Sequence, residues 1–392
     1  MTIRRLVPAV KHYPWGDPEW LPSLLGATPD GRPWAEAWYG THPDGETRVE
    51  IAGAAGGATG GAAGGAAGAG RTLREEVGAL PYLVKWISVA APLSLQTHPT
   101  AAAARAGWED EEARGVPREA PERRYRDASD KPELLCALSD FAMLAGFVDA
   151  DEARLRLAPI GLGAMADAYE RLGRDAYVRR VLRADADALR GLAPDAALRG
   201  EWPGLPAWAA ELGRRHPGDR GVAIALVMRH VRLRDGDAVL LRPGVVHAYL
   251  RGRAIEVMAS SDNVVRAAFT TKRVDVEAFV RTAACDGPGA EWVAMAIAPA
   301  PDGAMPLRRV PFGVARHDGG GAVTADHDAE IVLCAAAGRG ARRTRRGAGD
   351  AVVAGDAVVA GDAMRVGEVR LLRRGERAVP GAGASLVRVW AA

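Results

Sequence analysis

The order of patterns along the chain narrows the fold most: strands, then a long helical block, then strands again. Residues 81–98 (PYLVKWISVAAPLSLQTH) are apolar, rich in β-branched and aromatic residues and bounded by prolines. That is the pattern of two buried strands. Residues 100–116 read as a helix with Thr100 as its N-cap, and 133–148 return to short strands. From 150 to 230 the pattern is helical. Met165, Tyr169, Leu172 and Ala176 keep a spacing of three or four, and VAIALVMRHVRL at 222–233 reads as more of the same. Strand signals resume at 237 and run to the end with Gly, Pro and Asp turns. This order predicts a mainly β chain: a barrel or jelly roll with an α-helical insertion, then a second β domain. The 392 residues suffice for cores of that number.

Several classes are excluded early. With 51 Lys+Arg against 49 Asp+Glu the net charge is +2, which argues against a general nucleic-acid binder. No apolar run reaches the roughly 18 residues of a membrane span, and the first residues lack a signal-peptide core. Cys136, Cys285 and Cys334 form no CxxC, which fits a reducing, cytoplasmic setting and no disulfide framework. The Ala/Gly tract at 52–70 and the GDAVVA repeat at 349–363 read as a surface connector and a locally duplicated strand-turn unit.

Scarcity is more informative. Only Lys11, Lys85, Lys131 and Lys272 are lysines; the other 47 basic residues are arginine, and Gln96 and Asn263 are the only Gln and Asn. A strong bias has removed these types wherever another would serve. The survivors mark positions where no substitute works, since Arg cannot replace a lysine that must be compact or must titrate.

Three segments hold most of the survivors. In Ser94-Leu95-Gln96-Thr97-His98, strand alternation points Gln96 and His98 to one face. Asp130-Lys131-Pro132-Glu133 supplies a carboxylate. Gly236-Asp237-x5-Pro243-x3-His247-Ala-Tyr249 reads as turn, strand, Pro turn and strand with an inward His, the pattern of a double-stranded β-helix (cupin) barrel. Gln96, His98, Glu133 and His247 together form a mixed N/O ligand set suited to Zn²⁺, less exclusively to Fe²⁺ or Mn²⁺. One anionic ligand leaves the centre positive, a Lewis acid for a hydroxyl or carbonyl oxygen. Residues 254–272 then place Glu256, Asp262, Asn263, Arg266 and Lys272 close together. Buried unpaired, such groups cost several kcal/mol each, so the segment is either a solvent-facing hairpin or a polar pocket for a charged, hydroxylated ligand.

The motifs QTHP, DKPE, GD…P…HAYL and IEVMASSDNVVRAAFTTK resemble those of the type I phosphomannose isomerase family. So do Lys11-His-Tyr-Pro-Trp15-Gly and Ala35-Glu-Ala-Trp38-Tyr-Gly-Thr-His42-Pro-Asp-Gly. The resemblance covers roughly 9–45 and 81–280. It implies two cupin barrels plus an α-helical domain, one zinc per chain, and interconversion of mannose 6-phosphate and fructose 6-phosphate through a cis-enediol(ate), in GDP-mannose biosynthesis or mannose use. It implies zinc on Gln96, His98, Glu133 and His247, a catalytic Arg266, pocket lysines Lys85, Lys131 and Lys272, and Ser94, Tyr249, Glu256 and Asp262 lining the site. The family commonly has His where this chain has Asp130, which opens the question of ring opening. The proton-transfer base is Lys131 or Glu256, and the phosphate falls to Lys272 and Ser94. The domains then run 1–149 with 231–285 (catalytic), 150–230 (helical) and 286–392 (a metal-free cupin-like barrel). His317 and His327 read as surface residues, and the chain as a monomer acting on a small sugar phosphate, with no nucleic-acid or membrane partner. A non-catalytic sugar-phosphate binder and a cupin oxygenase are the competing readings.

Overall fold

The computed structural model describes residues 3–51, 70–283, 303–318, 321–336 and 363–392. The Ala/Gly tract up to residue 69, the GDAVVA repeat up to residue 362 and Cys285 lie outside them. The predicted mainly β architecture with a helical insertion is what the chain forms.

One strand organises the site. His247–Ala259 runs through two antiparallel layers. Its second half pairs with Tyr82–Val89 and Glu133–Ala137, which are flanked in turn by Glu36–Gly40 and Ala238–Leu241. Its first half pairs with Leu95–Thr97 and Phe141–Phe147. The register shifts between Tyr249 and Arg251, and Gly252 sits at the crossing with φ 135°, a value L side chains rarely adopt. A Cβ there would lie 2.5 Å from Phe141 Cδ2 and 2.8 Å from Phe141 Cα. Gly252→Ala should therefore cost about 2 kcal/mol or more of unfolding free energy, read from the midpoint of urea unfolding; an unchanged midpoint would contradict it.

Alternation sorts the faces of this layer. Tyr82, Val84 and Trp86 join Leu134, Cys136, Ile255 and Val257 in a core shared with Phe312, Ile331, Leu371 and Val389. Lys85 and Ile87, on the opposite face, line a cavity. The second sheet runs Phe312–His317, Ala384–Ala391, Glu330–Ala336, Val369–Leu372, Arg4–Val7, Arg48–Ile51. Its last two strands come from the N-terminal segment that sequence reading assigned to the catalytic unit. They cover what would otherwise be the free edge of Val369–Leu372.

The helical block, from Ala150–Leu157 to Gly221–Ala225, is not a separate body. Leu157, Met165, Tyr169, Tyr177 and Val181 share one core with Leu95, Leu144, Val246 and Phe269. Thr100 caps the helix Ala101–Ala113 as expected, accepting from Ala103 N. The expected helix at 222–233 stops early: Met228–Leu233 is a strand paired with Phe141–Phe147, where an open strand edge overrode a weak helical pattern. His327, read as a surface residue, keeps a partly exposed side chain. Half-buried, it stacks on Trp390 at 4.7 Å and contacts Glu330. His317 is half-buried in Phe312–His317.

Candidate active site

A cavity of about 1380 Å³ opens on the polar face of the first layer. Its wall includes ten of the twelve residues singled out from sequence: Lys85, Ser94, Gln96, Lys131, Glu133, Tyr249, Glu256, Asp262, Arg266 and Lys272. The other two, His98 and His247, lie fully buried beneath it.

Those two imidazoles converge on one carboxylate. His98 Nε2 is 3.2 Å from Glu133 Oε1, and His247 Nε2 is 3.4 Å from Glu133 Oε2. Each ring turns its Nδ1 to a backbone carbonyl, His98 to Asn263 at 2.7 Å and His247 to Val245 at 3.0 Å. A carbonyl can only accept, so each Nδ1 carries a proton, and the neutral form of each ring presents a lone pair at Nε2. Burial reinforces this by pushing His98 toward its neutral form. Glu133 is itself an acceptor; burial opposes its charge, and the Lys131 ammonium at 3.3 Å favours it. His98 Nε2 and Glu133 Oε2 are buried with no hydrogen-bond partner. Acceptors facing one another in a dry place need a cation between them.

Gln96 completes the set. It pairs with His247 on one side and Arg266 on the other, so all three side chains leave the same face. Its amide nitrogen stands 3.4 Å from His247 Nε2, while Ser94 Oγ donates to its oxygen at 3.1 Å. A half turn of the amide, an assignment the hydrogen-bond network decides, exchanges these ends and offers an oxygen ligand. Two imidazole nitrogens, a carboxylate and an amide oxygen fit zinc, and the Nδ1 contacts are the outer partners such ligands use. A second group, His42, Asp44 and Asp262, also brings donor atoms together, but Arg118 already pairs with both carboxylates.

Beside the donor set lies a charged lattice. Lys85 Nζ bonds Glu256 at 2.8 Å and lies 3.5 Å from Glu36; Glu256 also accepts from the Tyr249 hydroxyl at 2.9 Å. Burial acts to lower the Lys85 ammonium, but Glu256 and Glu36 outweigh it and the net shift is upward. Burial and then Glu256 push the Tyr249 phenol well up, so it stays a donor.

The far wall is different. Half of the cavity cations have a close carboxylate: Lys85 has Glu256, Arg123 has Glu111, Arg124 has Asp275, Lys131 has Glu133 and Arg215 has Glu211. Arg266, Lys272, Arg273 and Lys11 pair with no carboxylate among the described residues, and Arg126 only reaches Glu119 at 3.9 Å. Burial lowers Arg266 and Lys272, and the neighbouring cations lower Lys272 further. Like charges gathered without a counter-ion form a seat for an anion.

Sequence reading missed Glu36 and Arg126. Glu36 carried a signal, two positions before Trp38 on one strand face; Arg126 carried none among 47 arginines. Asp130 lines a separate cavity of about 650 Å³ and is absent from the wall of the larger one.

Residues 3–150 match the family model "Phosphomannose isomerase type I, catalytic domain". The mannose-6-phosphate isomerase of Salmonella typhimurium is 32% identical over 290 residues, covering 71% of this chain and 74% of that protein. The Escherichia coli K12 enzyme of the same name is 32% identical over 288 residues, with the same coverage. Among solved structures, the Salmonella typhimurium enzyme bound to substrate (fructose 6-phosphate) and zinc aligns over 99% of both chains, with a TM-score of 0.73 and 26% identity. A zinc-bound holo structure of mannose 6-phosphate isomerase aligns equally well, with the same TM-score and identity.

Proposed function

The chain belongs to the type I phosphomannose isomerase family, and on that premise we propose that it interconverts D-mannose 6-phosphate and D-fructose 6-phosphate, with one zinc ion per chain. The observation that carries this reading is the convergence of two imidazole lone pairs on a buried carboxylate, beside a wall of unpaired cations. Gln96, His98, Glu133 and His247 would hold the metal. When bound, zinc supplies Lewis acidity to the sugar's O1 and O2.

The chain's own residues do the rest. Aldose–ketose exchange takes a proton from C2 and returns it to C1, leaving negative charge on oxygen in between. Arg266 keeps its charge and leaves the same sheet face as Gln96, so it stabilises that oxyanion. Of the two candidate bases, Glu256 has both oxygens engaged, by Lys85 and Tyr249. Lys131 faces the cavity with one ion-pair partner, Glu133 at 3.3 Å. We assign the C1–C2 proton transfer to Lys131, with Glu256 locking Lys85 and Tyr249 in place. Lys272 and Arg126 seat the phosphate; Ser94, hydrogen-bonded to the Gln96 amide, orients that amide instead. Asp262 meets the sugar hydroxyls from the cavity wall, and Asp130, facing the other cavity, takes no part in ring opening. An oxygenase reading loses support, because an amide donor and a cation-rich wall suit a sugar phosphate better than dioxygen chemistry.

We read the enzyme as a cytoplasmic monomer, the reducing setting being supported by the free thiols of Cys136 and Cys334. No described helix is long and apolar enough to cross a membrane. Protein stripped with EDTA should lose isomerase activity in a coupled fructose 6-phosphate assay and regain it on adding Zn²⁺. Full activity in metal-free protein would defeat the proposal.

A further inference from the structure

The chain's single asparagine has no part in the chemistry above. Asn263 is fully buried in the turn between His247–Ala259 and Val265–Ala268. Its amide nitrogen donates to the carbonyl oxygens of Asp127 at 2.8 Å and Ser129 at 2.9 Å, and lies 3.2 Å from Asp127 Oδ1. Its amide oxygen accepts the Arg126 N–H at 2.9 Å. Its peptide oxygen is the acceptor for His98 Nδ1 at 2.7 Å. One residue thus touches the proposed metal ligand through its backbone and the opposite segment through its side chain.

That segment needs holding. Residues 114–132 contain no helix or strand, so no backbone ladder fixes them. The Glu111 carboxylate secures Arg124 N and Tyr125 N. Beyond that point the seam to the 261–263 turn consists of Asn263 and the Asp127 carboxylate, which accepts from Ser261 Oγ at 2.9 Å and Asp262 N at 2.9 Å. Arg126 lies on this seam, and Lys131 follows it by two residues.

We infer that Asn263 is a positioning residue whose side-chain amide clamps residues 126–129 against the 261–263 turn, so that Arg126 and Lys131 are presented to the cavity. This rests on the reading that the cavity takes a sugar phosphate. The chemistry explains why asparagine survived here. The place asks for two N–H donors and one acceptor at short reach. Aspartate offers no donor and would set a carboxylate against Asp127, serine offers a single proton, and glutamine is one carbon too long.

The test compares zinc-loaded wild-type protein with Asn263→Asp, Arg126→Ala and the double variant. Hydrogen exchange at amides 126–130 should become at least about tenfold faster in Asn263→Asp, with amides of the Tyr82–Val89 strand unchanged. Arg126→Ala alone should raise KM for mannose 6-phosphate about tenfold, the scale of one charge-assisted hydrogen bond. Asn263→Asp should raise KM at least as much, and adding Arg126→Ala should then raise it by no more than about twofold, because their effects on KM run through one guanidinium, while the displacement of Lys131 reads in kcat. Multiplying single effects, or unchanged exchange at 126–130, would overturn the inference. The exchange measurement needs no substrate, so it reads the clamp even if the proposed activity fails. Should Asn263→Asp not fold, Asp127→Asn opens the same seam from the other side and should show the same local exchange.

Discussion

Arg266→Ala should lower kcat for mannose 6-phosphate by about 10²–10³, the loss that follows removal of one preorganised donor at a developing oxyanion, roughly 2.7–4 kcal/mol. Arg266 leaves the sheet in register with Gln96, which places its side chain on the face that carries the donor set. No described carboxylate neutralises it, so its charge is available to the substrate. Burial lowers the guanidinium from its ordinary value, yet an arginine starts so far above neutrality that it remains charged. Its field is strengthened because the guanidinium is largely buried. Arg266→Lys should recover little, because a point charge cannot reproduce the planar fork. Lys272→Ala makes the contrast: it should raise KM and leave kcat within about threefold, since phosphate binding is the same in ground and transition states. Steady-state kinetics on both variants decide the matter. An unchanged kcat in Arg266→Ala removes the residue from the chemistry.

The donor set was legible because ligand chemistry admits few residue types, and those types are scarce here. Gln96 and His98 on one strand face, a carboxylate in DKPE and an inward His247 could be written down without coordinates. The partners of each group could not. That Lys85 answers to both Glu256 and Glu36 depends on the register of three strands that are far apart in sequence. Arg126 was invisible because arginine is everywhere in this chain; only the absence of a close carboxylate partner sets it apart, and that is a property of packing. The same limit applies to the fold. The strand Met228–Leu233 was read as helix because a short apolar run carries no period of its own. The crossing of Arg4–Val7 and Arg48–Ile51 into the C-terminal sheet left no local trace, because strand pairing over such separations is a tertiary decision.

Glu133→Gln should abolish the enzyme and nearly empty it of zinc. The amide keeps the volume of the carboxylate and removes the one negative charge in the donor set. Zinc affinity should fall by more than about 100-fold, since loss of a mere outer partner already costs 10–100-fold, and kcat should fall with it. Metal content measured on protein dialysed against limiting Zn²⁺ reads the first effect directly. The metal-free proteins give a second, independent reading. Glu133 and Lys131 are both buried, and removing one partner of such a pair costs about 3 kcal/mol. The folded Glu133 carboxyl is depressed, so in the wild type it contributes stability that is present above its unfolded pKa of about 4.3 and is lost as pH falls through the folded value. Between those limits the unfolded chain binds the proton first, and stability declines with pH. In Glu133→Gln that part of the acid sensitivity should vanish while the whole curve sits lower. If the variant kept zinc at wild-type affinity and the wild-type acid slope, Glu133 would be neither the anion of the donor set nor the partner of Lys131, and the site would have to be rebuilt around a different carboxylate.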